Sequence, residues 1–140
     1  MTAQVLRRMI AQSIGKVCTD WEIYEEEIPP ERNGPYFLIK ETESSLQLVM
    51  GRRYKSSHNF EIRCVPEEGG AETLQKMAHV LFEILEYIHT EEGILRGSNF
   101  KTNSKDGGLH FYVSYEYFLT KPGNRDNFME QLTNKISKKG

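Results

Sequence analysis

Residues 36–66, YFLIKETESSLQLVMGRRYKSSHNFEIRCVP, decide the fold. They read as one long β-hairpin with Met50-Gly51-Arg52-Arg53-Tyr54-Lys55 at or near its tip. Tyr36-Phe37-Leu38-Ile39 is a continuous apolar run of strand formers. Leu46, Leu48 and Met50 on one arm, and Phe60, Ile62 and Cys64 on the other, alternate with polar residues at the period of a half-buried strand. The pattern predicts a base, near Tyr36 and Cys64, that is buried on both faces. It also predicts an outer arm around Gly51 that projects toward solvent. An arm that outruns its core leaves strand edges unpaired, and proteins either charge such edges or use them for assembly.

Upstream of the hairpin, Thr2 is a candidate N-cap, and Val5, Leu6, Met9, Ile10 and Ile14 recur at helical spacing until Gly15 offers a stop. A short strand follows over Trp21–Glu25. Glu25-Glu26-Glu27 and Pro29-Pro30 then end regular structure, because proline cannot donate to a ladder. Residues 26–35 are read as a loop closing on the turn signal Asn33-Gly34-Pro35.

Downstream, Glu67-Glu68-Gly69-Gly70 is a turn. Leu74, Met77, Ala78, Leu81, Phe82, Leu85 and Ile88 form the cleanest helical stripe in the chain, widened by Val80, Ile84 and Tyr87 and closed by Glu91-Glu92-Gly93. Ile94 to Asn103 reads as a weaker strand with Gly97 as a candidate bulge. Asp106-Gly107-Gly108 is a hairpin turn, and Leu109–Leu119, LHFYVSYEYFL, is the strongest strand, expected at the centre of its sheet. After Pro122-Gly123-Asn124, Asp126 can cap a closing helix with Phe128, Met129, Leu132 and Ile136, within residues 121–140. The order is α-β-ββ-α-ββ-α: an α+β domain with a mostly antiparallel sheet packed by helices. The 140 residues fit one domain.

Charge and cysteine content narrow the function. A net charge of −2, from 20 acidic and 18 basic residues, argues against a general nucleic-acid binder. Cys18 and Cys64 have no metal-ligand or redox spacing, and the N-terminus lacks the apolar core of a leader, so a reduced, cytosolic protein is expected. No apolar run approaches the roughly 20 residues of a membrane span.

Catalytic chemistry is not signalled. His58, His79, His89 and His110 are not paired with other ligands at a metal-binding spacing, so no metal and no cofactor is expected. His58 and His110 are read as ordinary half-exposed strand residues. The serines have no nucleophile elbow around them, and Cys64 falls on the apolar side of a strand, where free cysteine is usually inert. Glu68-Gly69-Gly70-Ala71 lacks the lysine and hydroxyl of a phosphate-binding loop. What stands out is segregated charge. Glu22, Glu25, Glu26, Glu27 and Glu31 lie in the early strand and loop, whereas Arg52, Arg53 and Lys55 lie on the hairpin. Two such patches are either solvated or pair between copies, and two different patches pairing head to tail give a ring when the rotation closes.

An extended set of segments carries a resemblance: the opening amphipathic helix, DWEIYEEEI at 20–28, YFLIK at 36–40, LVMGRRYK at 48–55, FEI at 60–62 with Val65-Pro66, LRGSN at 95–99 and DGGLHF at 106–111. In their order and spacing these resemble the small tail terminator and tail-completion proteins of long-tailed bacteriophages and prophages, especially those of Gram-positive hosts. The resemblance implies a structural α+β subunit in the virion, assembled in the host cytoplasm. It implies a homo-oligomeric, hexameric ring at the head-proximal end of the tail tube that stops tube growth and joins the head. Its implied partners are itself, the tail tube protein and a head connector, with no membrane, no specific nucleic acid and no catalytic motif. The residues expected at the subunit interface are Arg52, Arg53 and Lys55 against Glu25, Glu26 and Glu27.

Two other readings compete. A neck connector of the same particle is close in role. A nucleic-acid module would instead display Phe111, Tyr112, Tyr115, Tyr117 and Phe118 for base stacking, although Glu116 sits among them.

Overall fold

The computed structural model describes residues 2–28, 35–68, 70–105 and 107–121. In chain order these form α1 (Ala3–Val17), β1 (Glu22–Glu25), β2 (Tyr36–Met50), β3 (Arg53–Val65), α2 (Ala71–Leu85), β4 (Tyr87–Thr90), β5 (Gly93–Lys105) and β6 (Gly108–Thr120). The strands make a sheet in the order β1-β2-β3-β6-β5-β4, with only β1 and β2 parallel. The architecture is α+β, as the patterning predicts. The closing helix expected from Asp126 lies outside the described residues.

The central hairpin forms where expected. Met50 pairs with Arg53 across a two-residue turn, Gly51-Arg52, in which Gly51 takes φ +56. That positive φ is what a hairpin turn needs at its first position, and glycine meets it without a Cβ clash. At the base, Tyr36, Phe37, Leu38 and Ile39 are all buried, so both faces are covered there. Along β3, every second residue from Ser56 to Cys64 is buried. Their register partners on β6, Tyr115, Val113, Phe111 and Leu109, share that face. Both helices pack there: Leu6, Ile10 and Ile14 of α1 and Leu74, Leu81 and Leu85 of α2 join the same core. β6 is central, as its composition predicts, with β3 on one side and β5 on the other.

Several boundaries differ from the sequence reading. Thr2 does cap α1, its Oγ1 accepting from Val5 N–H at 3.2 Å, but Gly15 does not end the helix. The helix continues to Val17, and the space a side chain would fill at Gly15 lies 3.4 Å from Ile23 Cδ1, so this glycine sits where α1 approaches β1. The stripe of α2 likewise does not run to Ile88. The helix stops at Leu85 because the sheet takes up its last carbonyls. Tyr115 Oη–H donates to Leu85 O at 2.6 Å, and Gly97 N–H donates to Glu86 O at 2.7 Å. Tyr87–Thr90 then forms β4, an element the sequence reading missed, and Ile88 is buried from a strand. Glu91-Glu92-Gly93 does not close a helix. It belongs to the β4–β5 turn, where Glu92 N–H donates to Thr90 Oγ1 and Thr90 Oγ1–H donates to Gly93 O.

The irregularity in β5 is also displaced. The register slips between Ser98 and Lys101, with Asn99 at φ 54, and not at Gly97. Gly97 is needed for a close approach instead, because an added Cβ would lie 2.7 Å from Phe100 Cζ and 2.8 Å from Leu85 O. Glycine lets β5 pass close under the end of α2.

Two outcomes follow. Leu81, fully buried, should lose about 2–5 kcal/mol on substitution by alanine, whereas Phe82, 40% exposed and tilted against Phe100 with ring centroids 4.7 Å apart, should lose less than about 2 kcal/mol. Gly97→Ala should destabilise by about 1–3 kcal/mol through overpacking at α2. Thermal melts of the three variants check both, and equal melting points for the Leu81 and Phe82 variants would contradict the facing of α2.

Candidate functional site

β1 pairs with β2 only over Tyr36–Ile39, and from Thr42 to Met50 every residue of β2 is exposed. The register of β5 on β6 ends at Tyr115. Beyond those limits β2, β3 and the end of β6 project as an arm. Leu46, Leu48, Val49 and Met50 are 50–77% exposed on it, so the half-burial expected for Leu46, Leu48 and Met50 does not occur. The helices are too short to cover that length. At Thr42 an extra residue interrupts the ladder: Glu41 lies opposite Phe60 and Glu43 opposite Asn59. This bulge moves even-numbered residues of β2 onto the helix-covered side of the arm.

A buried polar cluster marks the root of the arm. His58 is not half-exposed but 8% exposed. Its Nδ1–H donates to Glu41 Oε2 at 2.8 Å, which leaves Nε2 to the hydroxyls of Ser56 and Tyr117 at 3.2 and 3.3 Å. The Tyr117 ring stacks on the imidazole. His110 is buried likewise, on the opposite face of the sheet, with Nδ1 2.8 Å from Glu61 Oε1. Both histidines are therefore structural cross-links between neighbouring strands. They were missed because each carboxylate partner is fixed by register, and register is not written in local sequence.

The predicted interface residues occupy two places. Arg52 is exposed at the turn and has no ion pair among the described residues. Arg53 lies over the Phe118 ring, 4.3 Å from its centroid, and Lys55 Nζ lies 3.9 Å from Glu116 Oε2. Glu25, Glu26 and Glu27 sit at the end of β1, on the β2 side of the sheet. Arg7 of α1 holds two of them, with Nε 3.2 Å from Glu25 Oε1 and Nη1 2.8 Å from Glu26 Oε1. Glu26 has φ 70 within a tight turn closed by Glu27 N–H donating to Glu25 O, and its carboxylate also accepts from Glu41 N–H. That backbone region is costly for a residue with a Cβ, and these bonds hold it. Glu27 alone of the three has no ion pair among the described residues, so the acidic patch is smaller than its composition suggests.

Burial, with the neighbouring Cys18 thiol as a second cause, pushes the Cys64 thiol up to about 12, and burial also raises Cys18. Both are free thiols with little thiolate at neutral pH. Among the described residues no group of three or more potential ligands is placed to hold a metal, and no helix is long and apolar enough to cross a membrane. Of the five aromatics considered for base stacking, Phe111 and Tyr115 are buried in the core, Tyr112 and Tyr117 are half-buried and Phe118 is exposed, so the β6 row does not present one continuous aromatic face.

The profile of a family described as phage tail terminator protein matches residues 6–127. The chain belongs to that family. A tail terminator is a structural component of phage tails, which places the protein in the virion, in contact with other tail and head proteins. No curated protein matches the chain. One solved structure is similar over 89% of this chain and 99% of its own, at 13% identity and a TM-score of 0.46, a likeness too distant to bear on function.

In this tail terminator, reversing Arg52 and Arg53 together to glutamate should change the stability of the isolated subunit by less than about 1 kcal/mol, since both are exposed and the Arg53–Phe118 contact is a surface one. A thermal melt measures it, and an unfolded variant would assign both arginines to holding structure within the subunit.

Proposed function

We propose that this chain is a single tail-terminator domain that caps the head-proximal end of a tail tube as a ring, stops tube growth and presents the surface to which the head joins. The observation that carries the proposal is the projecting arm: nine consecutive exposed residues of β2, with four large apolar side chains among them, outside any core of the subunit. Monomeric proteins keep such edges short, charged or covered. A long uncovered one is suited to a protein whose working state is an assembly.

In this reading the ring is a hexamer, as in the long-tailed phages whose sequences the chain resembles, and its further partners are the tail tube protein and the head connector. It forms during assembly in the host cytoplasm. The charged part of the subunit contact runs from Arg52, Arg53 and Lys55 of one copy to Glu25, Glu26 and Glu27 of the next. Exposed ion pairs contribute only about 0–1 kcal/mol each and are screened by salt, and Arg7 already occupies two of the carboxylates. Charge therefore orients the contact more than it holds it. The isolated subunit should be a monomer or weak oligomer in dilute solution and a ring at high concentration or on a tube end.

The test is electron microscopy of tails assembled with the Arg52→Glu, Arg53→Glu double variant. Unjoined heads and tubes of uncontrolled length are expected, with partial rescue when Glu25, Glu26 and Glu27 are also changed to lysine. Normal tails built from a folded double variant would remove the hairpin tip from the interface.

A further inference from the structure

The arm exposes apolar surface on one side of the sheet, and on the other side the subunit has a groove of about 600 Å³. The groove opens where β5 leaves β6 after Tyr115, with Phe82 of α2, Ile94 and Phe100 of β5 and Phe118 of β6 in its lining. Ile94 is 62% exposed, Phe118 54% and Phe82 40%. It is open along its length and has no convergent buried polar groups, so it is not built for a small polar ligand.

We infer that a second copy of this chain occupies it: the outer edge of β2, with Leu46, Leu48 and Val49, seats in the Phe82–Ile94–Phe118 groove of its neighbour. The inference rests on the ring reading and names the surface that reading leaves open. Three features of the subunit favour a second copy over another partner. The sheet order puts the β2 edge and the β5–β6 groove on opposite sides of one molecule, so their contact is head to tail and repeats from copy to copy. Each exposes large apolar side chains, those of the groove flanked by Glu86, Arg96, Ser98 and Glu116, so each covers apolar surface that the other leaves in water.

The flanking charges also match. Beside β2 stand Glu25, Glu27 and Glu43, whereas the groove side carries Arg53, Lys55 and Arg96 against Glu86 and Glu116 of its own lining, an excess of one cation. Lys55 and Arg96 reach their own carboxylates, Glu116 and Glu86, only at 3.9 Å, and the Arg96 side chain is 71% exposed. Both remain available to a neighbour's carboxylates. The arm thus supplies the apolar part of the same head-to-tail contact whose charged part runs between Glu25–Glu27 and the cations of the arm.

The experiment mixes two full-length single variants, Leu48→Cys and Ile94→Cys, at high protein concentration under mild oxidation, with the unchanged chain and each variant alone as controls. Both positions are exposed, and circular dichroism checks that the variants fold. A disulfide-linked pair containing one of each variant, identified by mass and absent from the controls, is expected. Pairs formed by Leu48→Cys alone would overturn the inference, because they indicate a two-fold contact between β2 edges. A mixture that sediments as a ring but yields no mixed disulfide overturns the groove as the docking site and leaves the ring reading standing. A chain that stays monomeric at millimolar concentration and yields no disulfide overturns both.

Discussion

The structure depends on a mismatch of lengths. A 15-residue helix such as α1 or α2 is about 22 Å long, whereas a strand of 15 residues such as β2 is about 50 Å. Two helices of that size cover about half of strands of that length. The covered half is the core: Leu6, Ile10, Ile14, Leu81 and Leu85 meet Phe60, Ile62, Phe111 and Val113 there, all but completely buried. The other half has no helix to bury against and becomes the arm. Its exposure is a consequence of element lengths and not of a loosely folded end, since the β2–β3–β6 ladder continues to Met50, Arg53 and Thr120.

Where cover ends, the chemistry of the sheet changes. Phe60 and Ile62 on β3 give way to His58 and Ser56, and Val113 on β6 gives way to Tyr115 and Tyr117. Each side chain in this transition finds a polar partner. Tyr115 bonds the last carbonyl of α2, its burial holding the phenol well above the usual tyrosine range, and His58 bonds Glu41. The Arg7–Glu26 pair and the acceptance of Glu41 N–H by Glu26 tie the root of the arm to α1. These bonds join the root of the arm to the helix-covered half of the subunit.

Much of this was legible in the sequence because it depends on local period. The alternation in Phe60, Ile62 and Cys64, the stripe from Leu74 to Leu85 and the β-branched and aromatic density of Leu109–Leu119 each report an environment directly. The failures are of two kinds. Ile88 fell by accident on the helical stripe of Leu81 and Leu85, so β4 was absorbed into α2, although Ile88 and Thr90 before the Glu91-Glu92-Gly93 turn carried a strand signal. The rest depended on register. With the tip at Gly51-Arg52, the observed placement of Glu41 near His58 follows only once both register shifts of β2, at Val49 and at Thr42, are counted, and Glu61 meets His110 only when β3 is known to pair with β6. The groove was illegible for the same reason, because Phe82, Ile94, Phe100 and Phe118 come together from three elements. The charged residues proposed for the interface were visible as composition, but their local pairing was not: Arg7, which holds Glu25 and Glu26, lies within the opening amphipathic helix and gave no sign of it.

The order of the strands along the chain imposes a sequence of events during synthesis. β3 lies between β2, its immediate predecessor, and β6, which begins at Gly108. At about 5–20 residues per second the ribosome takes about 2–9 s to go from Val65 to Gly108. During that interval the finished β2–β3 hairpin has the β3 edge open along its length and the β2 edge open beyond Ile39, where β1 stops, while neighbouring ribosomes on the same message release identical hairpins. Pairing of those nascent edges would give misjoined chains before any subunit is complete. Glu41, Glu43, Arg52, Arg53 and Lys55 along the exposed length place like charges against one another in many of the registers such a pairing could adopt. The same side chains that end as part of a projecting surface thus act first as guards of an incomplete sheet.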